Sequence, residues 1–161
     1  LANLMKTFQI IHQSGANNFE EMNKQIQTLI EEDKENFGRE IQENYRIYPR
    51  LSAQQMALAY SAADVVISRS GGGSLFEIAA VGKPAVTIPL ANSANSHQLA
   101  NTNEFAKYGG IVIQEQNLTP HILINEIERA YENRVAISAT IKGFAKPDAA
   151  RIIASQLLTI V

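Results

Sequence analysis

The sequence predicts an α/β fold, a parallel sheet with helices on both faces. Three observations carry that expectation: short apolar, partly β-branched runs recur along the chain, amphipathic stretches with helical spacing separate them, and the connections between the two are short. With 161 residues, 45% of them hydrophobic, the chain has material for one compact domain with a core of its own, and residues 1–161 are read as a single domain.

The elements follow in order. Phe8 to His12 (FQIIH) is an apolar run closed by Gln13-Ser14-Gly15, which reads as a buried strand and its loop. From about Phe19 to Glu35, Phe19, Met22, Ile26, Leu29 and Ile30 recur at helical spacing among charges, as on the outside of a sheet. Tyr45 to Ile47 reads as a strand. Ser52 is placed to cap a helix carrying Met56, Ala59, Tyr60 and Ala63. Asp64 to Ile67 is the next strand, followed by the glycine loop Arg69-Ser-Gly-Gly-Gly-Ser74 and a helix over about Leu75 to Val81. Gly82 at the C′ position and Pro84 beyond it end that helix. Ala85 to Ile88 is a strand, the small polar stretch Ala91 to Ser96 a loop, and His97 to about Lys107 a helix. Ile111 to Ile113 is a strand, and Thr119-Pro120 opens a helix with Ile122, Ile127 and Ala130 inward. A last helix, starting near Lys146-Pro-Asp148, carries Ala150, Ile153, Ala154 and Leu157.

Composition excludes several classes of function. A formal charge of -2, from 14 basic and 16 acidic residues, gives no general field for nucleic acid or an anionic membrane, so any anion must be bound locally. The absence of cysteine removes disulfides, thiolate metal sites and cysteine nucleophiles. No histidine or carboxylate cluster has metal-ligand spacing and no carboxylate pair has acid/base spacing, so neither a metal nor a cofactor is expected. No apolar run approaches the roughly 20 residues that span a bilayer.

In a parallel sheet ligands gather at the carboxyl ends of the strands. The loops after His12, Ile67, Ile88 and Ile113 are therefore expected on one edge, with His12, Ser14 and Ser70 as cleft-lining candidates. In the order strand, Gly71-Gly72-Gly73-Ser74, helix, the unpaired first-turn amides make an anion site at the positive end of the helix dipole. Three glycines that merely turn the chain are the alternative, and the loop taken alone leaves both open. No Gly-Lys-Ser/Thr follows, which excludes a Walker-type loop, and Leu75 and Phe76 break the G-x-G-x-x-G pattern. Glu77 has two readings as well. Ser74-x-x-Glu77 has the spacing of a capping box, while a carboxylate at that end of the helix can also accept the two hydroxyls of a ribose. His97 and Asn101, four apart, share a helix face beside Gln98, an imidazole and two amides suited to sugar hydroxyls and an acetamido group; a solvated helix start is the alternative. His121 reads as an exposed first-turn residue.

Taken together, IIHQSG, MALAYSAADVVISRSGGGSLFEIAAVGKPAVTIPL, HQLAN and DAARIIASQL resemble the carboxyl-terminal half of the MurG family of peptidoglycan N-acetylglucosaminyltransferases. The resemblance runs from about Phe8 to the end. It implies the Rossmann-like second domain of a two-domain GT-B enzyme, the domain that binds UDP-N-acetylglucosamine. On this chain, Gly72, Gly73 and Ser74, following Gly71, would offer amides to the diphosphate. Glu77 would hold the ribose, and His97, Gln98 and Asn101 would face the sugar. The implied reaction is an inverting, metal-independent transfer to undecaprenyl-diphosphate-linked muramyl pentapeptide, in peptidoglycan synthesis, cell wall biogenesis, cell shape and cell division. Its implied place is the cytoplasm, peripheral on the inner face of the plasma membrane. The acceptor would be bound through an amino-terminal domain. Two departures qualify the likeness: the family's second domain begins with a strand and glycine-rich loop ahead of the helix in which this chain starts, and Gly-Gly-Gly-Ser stands where the family carries small, apolar and hydroxyl residues. The chain accordingly reads as a piece of a longer enzyme that lacks the first strand, is inactive alone, holds no catalytic residue, and is able to associate with itself through an open sheet edge. A UDP-sugar epimerase of the same fold and a non-catalytic nucleotide-sugar-binding subunit of a split glycosyltransferase are the rival readings.

Overall fold

A computed structural model describes residues 2–5, 7–90 and 97–159. The chain forms two compact units, residues 1–59 and 60–161, each with its own core.

The first unit contains α1 (Ala2–Met5), β1 (Ile10–Gln13), α2 (Ala16–Glu32), α3 (Phe37–Asn44), β2 (Tyr45–Tyr48) and most of α4 (Ala53–Ala62). β1 and β2 pair in parallel, with Ile10 opposite Tyr45 and Gln13 opposite Tyr48. Met5, Ile26, Ile41 and Tyr45 are its buried core, flanked by Ile10, Leu29, Ile30, Phe37 and Ile47. Of the helical stripe predicted for α2, Ile26, Leu29 and Ile30 pack in this core. β1 alternates half-buried and exposed residues, with Ile11 51% exposed, where the sequence predicts a buried run. α3 follows a tight turn in which the Asp33 carboxylate accepts from the amides of Asn36 and Phe37. Gly38 is required there: a Cβ at this position would lie 2.6 Å from the carbonyl oxygen of Ile30 and 2.7 Å from that of Asp33. α4 opens with a reciprocal capping box, in which the Gln55 amide donates to Ser52 Oγ and the Ser52 amide to Gln55 Oε1.

The second unit contains β3 (Val66–Arg69), α5 (Gly72–Ala80), β4 (Ala85–Ile88), α6 (His97–Ala106), β5 (Ile111–Val112), a 3-10 turn (Glu115–Asn117), α7 (Pro120–Glu132), α8 (Arg134–Ile141), a second 3-10 turn (Lys142–Phe144) and α9 (Ala149–Leu158). Its three strands lie in the order β3-β4-β5, all parallel. The fold class is the one expected, parallel strands flanked by helices, with ladder hydrogen bonds divided between a two-stranded and a three-stranded sheet. All four residues of β4 are buried. Leu75, Ile78 and Ala79 form the buried stripe of α5 and pack with Ala85, Phe105, Ile141 and Phe144. Phe144 is the hub of an aromatic cluster: Phe76 stacks on it at 4.7 Å, while Phe105 and Tyr108 meet it edge-on.

Several boundaries differ from the sequence expectation for identifiable reasons. β3 starts at Val66, two residues late, because Lys83 Nζ donates to the carbonyls of Ser61 and Ala63 and finishes α4 there, leaving Asp64 and Val65 to the turn. α5 ends as predicted. Gly82 takes φ +66, and Lys83 N bonds to Ile78 O and Gly82 N to Ala79 O, the pair of bonds of a Schellman motif. The Thr119 hydroxyl accepts from the Ile122 amide ahead of Pro120, also as predicted. α9 buries none of its residues; Ile153 and Leu157, expected on its apolar face, are 57% and 59% exposed.

Candidate functional site

The parallel pairing of β3, β4 and β5 puts the segments after Arg69, Ile88 and Val112 on one carboxyl edge. The glycine loop belongs to that edge. α5 begins at Gly72, three residues before the predicted Leu75, and its first intrahelical bond runs from Leu75 N to Gly71 O. Gly71 is therefore the N-cap and supplies no side-chain acceptor. The amides of Gly72, Gly73 and Ser74 form the open first turn of a nine-residue helix.

This shift settles one of the two alternatives for Glu77. Ser74 occupies the third helical position and not the cap, so Ser74 and Glu77 do not make a capping box. Glu77 is exposed, and its Oε2 accepts a hydrogen bond of 3.4 Å from the Tyr60 hydroxyl. A reciprocal box of that kind occurs instead at Ser52 and Gln55.

The glycines themselves answer to no local demand. Gly71 has φ -66 and ψ 133, open to any residue, and none of the three is among the positive-φ glycines. Beyond the adjoining residues and the helix's own backbone, no described atom lies within 4 Å of a Cβ added at Gly71 or Gly73, and one at Gly72 would meet Asn101 Nδ2 at an ordinary 3.5 Å. The loop is bare toward its surroundings, and Asn101 of α6 stands beside it.

The remaining candidates divide by location. Gln98 is half-buried and its Oε1 accepts from the Leu90 amide at the end of β4, which commits the oxygen end of the side chain and leaves the NH2 end to donate. The Thr102 hydroxyl donates to the Gln98 carbonyl at 2.6 Å and fixes this turn of α6. His97 starts α6, but its side chain lies outside the described residues, as does the loop 91–96 before it. Ser70 is fully buried at the root of the glycine loop, and its Oγ has no hydrogen-bond partner among the described residues. His12 and Ser14 belong to the first unit. His12 Nδ1 is 2.5 Å from the Tyr45 hydroxyl, and burial lowers the imidazole pKa below its ordinary 6.5 and raises that of the phenol. Ser14 turns onto the backbone, with Oγ donating to the carbonyls of Gly15 and Tyr48. His121, expected exposed, is exposed and pairs with Asn125 along α7.

Arg69 at the same edge and Tyr60 beside Glu77 are not among the candidates the sequence offers. Arg69 Nη1 donates to Glu115 Oε1 at 2.8 Å and to the Ile88 carbonyl at 3.4 Å, tying together the ends of β3 and β4 and the turn after β5. A cation ending a strand beside a glycine loop was the available signal. The sequence places Tyr60 on a helix with Met56, Ala59 and Ala63, and a contact across seventeen residues leaves no trace in spacing. Among the described residues no group of three or more histidine, aspartate or glutamate side chains is arranged to hold a metal ion, and no helix is long and apolar enough to cross a membrane.

Residues 1–155 match the glycosyltransferase family 28 C-terminal domain. The chain is 40% identical over 99 residues, covering 59% of it, to a protein of Syntrophotalea carbinolica named UDP-N-acetylglucosamine–N-acetylmuramyl-(pentapeptide) pyrophosphoryl-undecaprenol N-acetylglucosamine transferase. It is 30% identical over 143 residues, covering 88% of it, to the protein of that name from Burkholderia thailandensis. These alignments span 28% and 36% of the two relatives, so the chain accounts for about a third of their length. Among solved structures, the crystal structure of Acinetobacter baumannii MurG aligns with a TM-score of 0.73 at 26% identity, over 97% of this chain and 43% of the other. A parallel α/β fold, an open helix start at its carboxyl edge and a match along nearly all of its length agree, and the chain belongs to glycosyltransferase family 28 as its C-terminal domain.

Proposed function

We propose that this chain binds UDP-N-acetylglucosamine as the donor half of a glycosyltransferase that adds N-acetylglucosamine to undecaprenyl-diphosphate-linked muramyl pentapeptide in peptidoglycan synthesis. The observation that carries this reading is the uncapped start of α5 at the carboxyl edge of the sheet, three amides with no side-chain cap, preceded by a glycine and beside Asn101. The names of the relatives supply the substrates.

The diphosphate of the donor lies against the amides of Gly72, Gly73 and Ser74. Glu77 accepts from the ribose hydroxyls, and Asn101 with the NH2 end of Gln98 and the His97 side chain faces the sugar. As the bond from the anomeric carbon to the diphosphate breaks, the leaving UDP gains negative charge. Amides and a helix dipole already aimed at that position stabilise the charge without reorganising. The acceptor hydroxyl, its activation and the approach to the inner face of the plasma membrane belong to parts of the protein outside these residues.

The test is a titration with UDP and with UDP-N-acetylglucosamine, followed through the amide NMR signals of residues 71–77. These signals shift with both ligands, and UDP alone produces most of the change. Signals that stay in place at millimolar ligand contradict the assignment.

A further inference from the structure

Tyr60 lies near the carboxyl end of α4 and packs its ring against the core formed by Leu75, Ile78, Phe105 and Phe144. Its hydroxyl emerges from that packing next to α5 and donates to Glu77 Oε2 at 3.4 Å. Glu77 is otherwise an exposed glutamate on a helix, a side chain with three rotatable bonds and no ion pair among the described residues. A ribose diol presents two donors in a fixed relation, so a carboxylate that is to accept both must hold its plane still. A free glutamate loses rotamer entropy on doing so. One hydrogen bond from a group anchored in the core removes much of that loss beforehand and leaves Oε1 and the second lone pair of Oε2 open.

We propose that Tyr60 is a positioning residue for Glu77, and that the pair makes the site selective for a ribonucleoside diphosphate over one lacking ribose hydroxyls. The inference rests on the assignment of Glu77 to the ribose. Burial and then the Glu77 carboxylate hold the Tyr60 phenol pKa above its ordinary 10.0, so the hydroxyl stays a donor through neutral pH. Removing the hydroxyl leaves the carboxylate in place but unanchored, and its effect appears only with ligands that carry the diol.

The experiment measures calorimetric affinities for UDP and for 2′,3′-dideoxy-UDP in the full-length protein and in its Tyr60→Phe and Glu77→Gln variants. Tyr60→Phe keeps the ring that packs in the core, and thermal melting verifies the fold. The expected result for Tyr60→Phe is UDP binding weakened about 3- to 10-fold with dideoxy-UDP binding unchanged, the range of one hydrogen bond. In Glu77→Gln the preference for UDP over the dideoxy ligand is largely lost. Equal weakening of both ligands in Tyr60→Phe, or no weakening of either, overturns the positioning role while leaving Glu77 on the ribose. A preference for UDP that survives intact in Glu77→Gln overturns the ribose assignment and the role of Tyr60 with it.

Discussion

Glu77 shows how much depends on where a helix begins. Read from Leu75, it faces back to a serine cap; with the helix starting at Gly72 it stands free of any cap and within reach of Tyr60. Its identity as a candidate was legible, because an acidic residue four positions after a glycine run is a visible pattern. The partner that orients it was not, since only tertiary packing brings Tyr60 to it. The second residue with a sharp environment is His12. Burial lowers its pKa below 6.5, so the unfolded chain binds the imidazole proton more tightly than the fold does. Stability is full above about pH 6.5 and declines as the pH falls from there toward the lower folded-state value. Thermal melts from about pH 8 to about pH 5 are expected to show this decline in the native protein and a flatter profile in His12→Gln. Parallel profiles for the two proteins contradict it.

Among the elements, those with local chemical marks were readable and those made by packing were not. Thr119-Pro120, Gly82 with Pro84, and Ser52 each fix a terminus through a cap or a left-handed residue, and each lies where the sequence places it. α3 went unread because its apolar residues, Phe37 and Ile41, are few among charges; its position is set by the Asp33 turn and by the close approach at Gly38. α8, with the sequence RVAISATI, has the β-branched content of a strand and is helical because Ile141 and the following Phe144 complete the core of the second unit. Two glycines in first turns of helices make a clean contrast. Gly38→Ala forces a methyl onto two backbone carbonyls and is expected to lower unfolding free energy by more than about 1 kcal/mol. Gly73→Ala, which meets no described atom within 4 Å beyond its chain neighbours and its own helix backbone, is expected to leave it within about 1 kcal/mol of the native value, on the stabilising side. Denaturant titration of both variants checks this, and equal losses contradict the view that the glycine loop is bare on its own account.

On the scale of the whole molecule, the α/β class was legible from the alternation of runs, while the division of the strands between two ladders was not, because pairing partners are a tertiary property. The chain corresponds to about a third of its curated relatives, and its proposed share of their chemistry is the leaving-group side. That account stands on the amides at the start of α5. The most direct measurement removes one of them without disturbing the helix. Gly72 is the first helical residue, where proline is well tolerated, and Gly71 already has the extended conformation that a following proline requires. Gly72→Pro deletes the N–H; Gly72→Ala keeps it and adds a comparable carbon beside Asn101. The account predicts that the two variants melt alike and that the proline variant binds UDP at least about tenfold more weakly than the alanine variant, the loss of one charge-assisted hydrogen bond. Equal UDP affinity in two equally stable variants would contradict it.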